Sequence, residues 1–126
     1  MAGKKNDRKI YLSAGKDIAI EEATFYHVKD MISYAQNKVV SKSVFKKITG
    51  SITVTSFDEG QGLVESASRF ESFSQIIEGN AEMVINKVSY FLETGMCIVI
   101  PANTNNSIKP HGRFKMISTI IKSGYE

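Results

Sequence analysis

The chain has 126 residues, with 16 Lys and Arg against 13 Asp and Glu, two His, one Cys and a formal net charge of +3. That length suits one domain, which buries about two-thirds of the surface its unfolded form exposes, and the single cysteine, Cys97, excludes an intramolecular disulfide. No apolar run approaches the roughly 20 residues of a bilayer span, and the charged start M-A-G-K-K-N-D-R-K lacks the apolar stretch of a secretory leader; a soluble cytoplasmic protein with no membrane partner is expected.

Residues 1–22 read as an N-terminal arm. Lys4, Lys5, Arg8 and Lys9 against Asp7 place +3 in the first ten residues, which is the whole net charge of the chain. K-I-Y-L and D-I-A-I-E-E-A then suggest a short strand and a helical turn, and His27 just beyond reads as a surface or dimer-packing residue. A nucleic-acid module clusters Lys and Arg with stacking aromatics on its folded body. Here Lys42, Lys46 and Lys47 form only a small cluster, suited to a solvated strand edge, so no nucleic-acid partner is expected. A regulatory contact through the basic arm is a separate reading, and deletion of residues 1–22 tests it.

Residues 23–126 read as one all-β domain. Short apolar or alternating runs follow in order: K-V-V-S-K-S-V-F, S-I-T-V-T-S-F, F-S-Q-I-I, A-E-M-V-I, V-S-Y-F-L, M-C-I-V-I, N-S-I and F-K-M-I-S-T-I-I. Between them lie D-E-G-Q-G, E-G-N, I-N-K, E-T-G, P-A-N-T-N-N and K-P-H-G-R, rich in residues that tolerate turn geometry. Eight or so short strands at a spacing near ten residues imply a sandwich or barrel, and I-I-E-G-N through C-I-V-I-P reads as a meander. A jelly-roll barrel closes such a pattern and leaves an interior wide enough for one small ligand.

In V-E-S-A-S-R-F-E-S-F-S, Ser66, Ser68, Ser72 and Ser74 fall on even positions, a strand face where apolar residues are the rule. Gly60, five residues, Ser66, one residue, Ser68, three residues, Ser72, six residues and Gly79 has the spacing of the first signature of the cupin superfamily. Gly95, five residues, Pro101, then Asn103, Asn106 and Pro110 has the spacing of the second. Over about residues 25–122 the chain therefore resembles the small single-domain bacterial cupins of the RmlC-like group. The resemblance implies a cupin jelly-roll β-barrel, or double-stranded β-helix, and a homodimer paired through sheet edges and N-terminal strands.

In metal-binding relatives the positions matched by Ser66, Ser68 and Asn106 are histidines, and that of Ser72 is a glutamate. Hydroxyls and a carboxamide are poor ligands for iron, manganese, nickel or zinc, so neither metal nor cofactor is expected. Glu71 and Gln75 lie beside the glutamate position, where a bulge would turn one inward. The candidate ligand-binding set is Ser66, Ser68, Ser72, Ser74, Asn106, Glu71, Gln75 and His111, with apolar walls from Ile76, Met83, Ile98, Met116 and Ile120. No catalytic residue is assigned. Cys97 is expected as a buried, inert thiol.

Three readings follow for the serines. They fill a former metal cavity by bonding to one another and to trapped water, or they line a site for a small polar metabolite. The third reading is a metal-independent isomerase or epimerase acting on a sugar or similar metabolite, with acid and base drawn from His111, Glu71 and Tyr90.

Overall fold

The computed structural model describes residues 20–122. A single 3-10 turn, Val28–Met31, precedes nine strands: β1 (Val39–Lys47), β2 (Gly50–Phe57), β3 (Leu63–Ser66), β4 (Glu71–Glu78), β5 (Ala81–Ile85), β6 (Val88–Leu92), β7 (Cys97–Ile100), β8 (Asn106–Ile108) and β9 (Phe114–Ile121). They form two antiparallel sheets, one in the order β1-β2-β9-β4-β7 and one in the order β3-β8-β5-β6. After the β1–β2 hairpin the chain passes repeatedly from sheet to sheet, which is the winding of a jelly roll. The arm's first nineteen residues, including K-I-Y-L and the first three residues of the expected helical turn, lie outside the described residues; residues 20–23 form a bend and a turn rather than a helix. Among those described, no helix is long and apolar enough to cross a membrane.

Eight of the nine strands coincide with runs legible in the sequence. The exception is β3, whose four residues L-V-E-S are all exposed and show no alternation. The expected meander from β4 to β7 does not form. Only β5 and β6 pair as a hairpin, while β4 and β7 lie side by side in the other sheet. Asn86 and Lys87 have φ of 49° and 68°, the pair of positive values that a two-residue type I′ hairpin needs. Gly79 instead makes a corner: its φ is +78°, and a Cβ there would collide with the Arg113 carbonyl. Gly60 and Gly95 also have positive φ, so all three glycines of the matched spacings sit where the chain changes direction.

Strand alternation divides the five-stranded sheet into two unlike faces. The inner face meets the second sheet in a cluster of Phe57, Ile76, Phe114 and Met116 with Ala81, Met83, Leu92 and Ile108, in which the Phe57 and Phe114 rings stack at 4.3 Å. The outer face carries Val44 and Val54, which residues 20–34 cover through Met31, Ile32 and their neighbours. Polar bonds fasten this cover: Ser56 Oγ donates to the Ser33 carbonyl at 2.9 Å, and Lys115 Nζ donates to the Lys29 carbonyl at 2.6 Å.

The uncovered remainder of the outer face lies over β4 and β7. Cys97 is there, on the outermost strand beside exposed Val99, because Ile98 and Ile100 take the inward positions. The thiol is therefore exposed rather than buried.

Candidate ligand-binding site

The apolar cluster occupies one end of the barrel. Moving along β4 from Ile76, the same inward face carries Ser74 and then Ser72; along β9 from Met116 it carries Ser118 and then Ile120. Four features mark this second end: the β1–β2 turn, the β3–β4 and β7–β8 crossings, and the β5–β6 hairpin. Ser72 is the register partner of Ile100, and Ser66 that of Asn106. Asn103 N donates to the Ser68 carbonyl at 2.6 Å, and Asn86 N to the Asn105 carbonyl at 2.9 Å. Ser66, Ser72, Ser74 and Asn106 thus lie toward the same end of the barrel, two from each sheet.

Each has a distinct state. Ser74 is 2% exposed and its Oγ lies 3.0 Å from Ser118 Oγ. Ser72 is half-buried between the two isoleucines opposite it, Ile100 and Ile120. Asn106 Nδ2 donates to the Ser66 and Thr104 carbonyls at 3.3 and 3.1 Å, which orients the carboxamide and leaves its oxygen uncommitted. Ser68 is exposed in the crossing, and its Oγ accepts from Phe70 N at 3.1 Å; it shapes the turn.

The remaining candidates lie elsewhere. Glu71 and Gln75 alternate with Ser72 and Ser74 and so project from the outer face; Gln75 Nε2 reaches the Gly95 carbonyl at 3.4 Å. The irregularity in β4 comes after Ile76, too late to turn either one inward. His111 is exposed at the opposite end, where its carbonyl accepts from Gly60 N at 2.7 Å. Six residues of β9 separate that end from Ile120, roughly 20 Å at strand rise. Tyr90, the register partner of Met83, shares the inner side but has neither Glu71 nor His111 beside it. His27 is exposed and leads into the 3-10 turn. Of the apolar residues expected as walls, Ile76, Met83 and Met116 belong to the inner cluster, Ile98 packs on it, and Ile120 faces Ser72's side.

Sequence reasoning missed a set of hydroxyls on the neighbouring strands. Ser43, Thr53, Ser118 and Ser74 are successive register partners across β1, β2, β9 and β4. Ser41 and Thr55 pair one row nearer the core, with oxygens 2.9 Å apart, and Ser51 lies one row nearer the mouth, in line with Ile120 and Ser72. The alternation S-K-S and S-I-T-V-T carries the same signal as the serines of β4, though only pairing shows that it forms a row.

The far end of the barrel is held by charge. Asp58 Oδ2 accepts from Asn37 N at 2.6 Å and Oδ1 from Arg113 Nε at 2.7 Å; together these hold its carboxyl below the usual carboxylate range. Burial pushes the Tyr34 phenol well above its ordinary value, and its hydroxyl, donating to Glu78 Oε2 at 2.6 Å, adds to the shift. A cleft of about 510 Å³ there is lined by Gln36, Asn37, Asp58, Glu59 and Arg113, and Asp58 and Arg113 are paired with each other. This cluster fastens residues 29–37 to the barrel.

The motif spacing matches Ser66, Ser68, Ser72 and Asn106 to positions that hold ligands in metal-binding relatives. Their hydroxyls and carboxamide do not fit a metal: no imidazole, carboxylate or thiolate is among them, and Ser68 already serves its turn. Among the described residues, no group of three or more His, Cys, Asp or Glu comes together anywhere.

Comparison with known proteins agrees with this architecture. No family model matches the chain, and no curated protein does. Solved structures do. A conserved Streptococcus pyogenes protein of unknown function is 26% identical with a TM-score of 0.76, over 82% of this chain and 90% of that one. A cupin superfamily protein from Desulfitobacterium hafniense is 21% identical with a TM-score of 0.76, over 84% and 95%. An RmlC-like cupin from Shewanella frigidimarina is 15% identical with a TM-score of 0.68, over 82% and 94%. With its two-sheet winding, its corner glycines and these neighbours, the chain is a small protein of the cupin fold.

Proposed function

We propose that this protein is a metal-independent binding barrel for a small polar metabolite, held at the mouth by Ser72, Ser118 and Asn106, with buried Ser74 orienting the Ser118 hydroxyl. The observation that carries the reading is the exchange of chemistry at a retained position: neutral hydroxyls and an oriented carboxamide sit on the inner face where related barrels carry metal ligands. Each hydroxyl offers one donor and two acceptor sites, so the surface recognises groups that both give and take hydrogen bonds. Apolar walls from Ile98, Ile100 and Ile120 strengthen those bonds by excluding water.

The test is elemental analysis of untagged protein, with thermal unfolding before and after dialysis against a chelator. Substoichiometric metal and an unchanged midpoint are expected. One equivalent of iron, nickel, manganese or zinc per chain overturns the reading.

The same account includes a homodimer. Its support is the apolar strip of Phe73, Val99 and Ile121 on the uncovered outer face, beside the unpaired edge of β7. A second copy placing its own β7 edge across a two-fold axis covers that strip and the edge together. Light scattering after gel filtration is expected to give twice the chain mass, falling to one chain in Phe73→Asp; a monomeric parent refutes the dimer.

A further inference from the structure

The mouth is lined for more than neutral polarity. The row Ser43, Thr53, Ser118 and Ser74 crosses four adjacent strands, so its hydroxyl-bearing positions repeat at the strand spacing of about 4.8 Å. Within it only Ser118 and Ser74 bond to each other; Thr53, half-buried, makes no side-chain hydrogen bond to protein among the described residues, nor does Ser72 one row on. A half-buried hydroxyl without a protein partner is open to water or to a ligand. A single polar group on a ligand satisfies one such hydroxyl. A row calls for a ligand with several.

Among the described residues, cations outnumber carboxylates at this rim. Lys46, Lys47, Arg69, Lys87 and Lys122 arrive from the strand ends and turns of the mouth, against Glu65 and Glu71. Lys46 is the register partner of Ser51, which places it on the inner side directly above the hydroxyl row. It has no carboxylate partner among the described residues. Arg69 and Lys122 both stand over the Phe70 ring, at 5.2 and 5.6 Å, holding further positive charge at the β3–β4 crossing. The opposite end presents Asp58, Glu59, Glu78 and Glu93 among its cations, so the positive bias belongs to the mouth.

From the row and the rim together, we propose that the ligand is a small polyhydroxylated anion. Its hydroxyls lie along Thr53, Ser118 and Ser72, and its carboxylate or phosphate meets Lys46. The inference rests on the binding-barrel reading and narrows it to one chemical class.

The test is calorimetric titration of the full chain with gluconate, sorbitol 6-phosphate, sorbitol and acetate, at low and at high salt. Gluconate or sorbitol 6-phosphate is expected to bind at least about tenfold more tightly than sorbitol or acetate, with the difference shrinking at high salt. Which of the two anions binds more tightly identifies the charged group. Lys46→Gln is expected to bring the anions down to the level of sorbitol. Thr53→Val, which keeps the side-chain shape, is expected to weaken polyols and anionic polyols alike by roughly three- to tenfold. Lys109→Gln, at the far end, is the control, and circular dichroism confirms that each variant is folded.

Equal affinity for sorbitol and the anions overturns the proposal, as does acetate binding as tightly as gluconate. So does unchanged gluconate binding in folded Lys46→Gln, or the absence of saturable binding by either anion. If the polyols fail while metal-free protein retains some other organic ligand, this inference falls and the binding-barrel reading stands. Metal content decides that reading separately.

Discussion

Ser74 and Ser118 offer a direct test of whether the inner hydroxyls form a bonded row. Ser74 is 2% exposed and its Oγ lies 3.0 Å from that of Ser118, the residue opposite it on β9. Ser74→Ala removes one partner and strands the other, at a cost of about 1–2 kcal/mol. Ser118→Ala strands the more deeply buried Ser74 hydroxyl, and its cost is at least as large, on the order of 1–3 kcal/mol. The double substitution leaves neither hydroxyl behind, so it is expected to cost no more than the larger single change, a coupling of roughly 1 kcal/mol. Equilibrium urea unfolding of the four proteins measures this, provided the denaturant slope is shared. Strictly additive penalties refute the bonded pair. Because the hydroxyls are assigned a binding role, the double variant, still folded, is also expected to lose ligand.

Three further outcomes follow from the far end and the core. Asp58→Asn is expected to destabilise the protein at neutral pH and to erase part of its acid limb. The lowered folded pKa means that Asp58 contributes stability above its unfolded value near 4, lost as pH falls through the folded value. A parent-minus-variant difference that does not shrink below about pH 4 contradicts this. Tyr34→Phe acts at the other extreme. The raised phenol pKa makes stability fall as pH rises above the unfolded value near 10, so the parent should weaken there more steeply than the variant in alkaline urea titrations. Ile76→Ala, at a fully buried site in the inner cluster, is expected to cost roughly 2–5 kcal/mol by urea unfolding; a cost under about 1 kcal/mol denies that cluster its role.

The fold was legible because corners and alternation leave local marks. Gly60, Gly79 and Gly95 occupy positive-φ positions, and their spacing is readable without any knowledge of pairing. Inward positions on β4 were legible for the same reason: Ser72, Ser74 and Ile76 alternate with Glu71 and Gln75, which the structure leaves outside. What the linear order conceals is which strands become neighbours. Nothing in S-K-S, S-I-T-V-T or M-I-S-T-I-I announces that Ser43, Thr53 and Ser118 line up with Ser74, since β4 meets β9 across more than forty residues.

Long-range placement also decided His111 and Cys97. A turn histidine near a matched motif reads as a rim residue, yet β9 carries that turn to the far end. An apolar run such as M-C-I-V-I reads as buried on both sides, yet β7 is the outermost strand of its sheet and turns Cys97 and Val99 outward. Small exposed β3 left no periodic signal at all.

The central claim is that the barrel mouth holds a small organic ligand without a metal, and native mass spectrometry of untagged protein tests it most directly. The predicted spectrum shows the metal-free chain together with a non-covalent organic adduct at one per chain, reduced in the Ser74→Ala/Ser118→Ala double variant. A spectrum dominated by one transition-metal ion per chain, or an adduct undiminished in the double variant, contradicts the account.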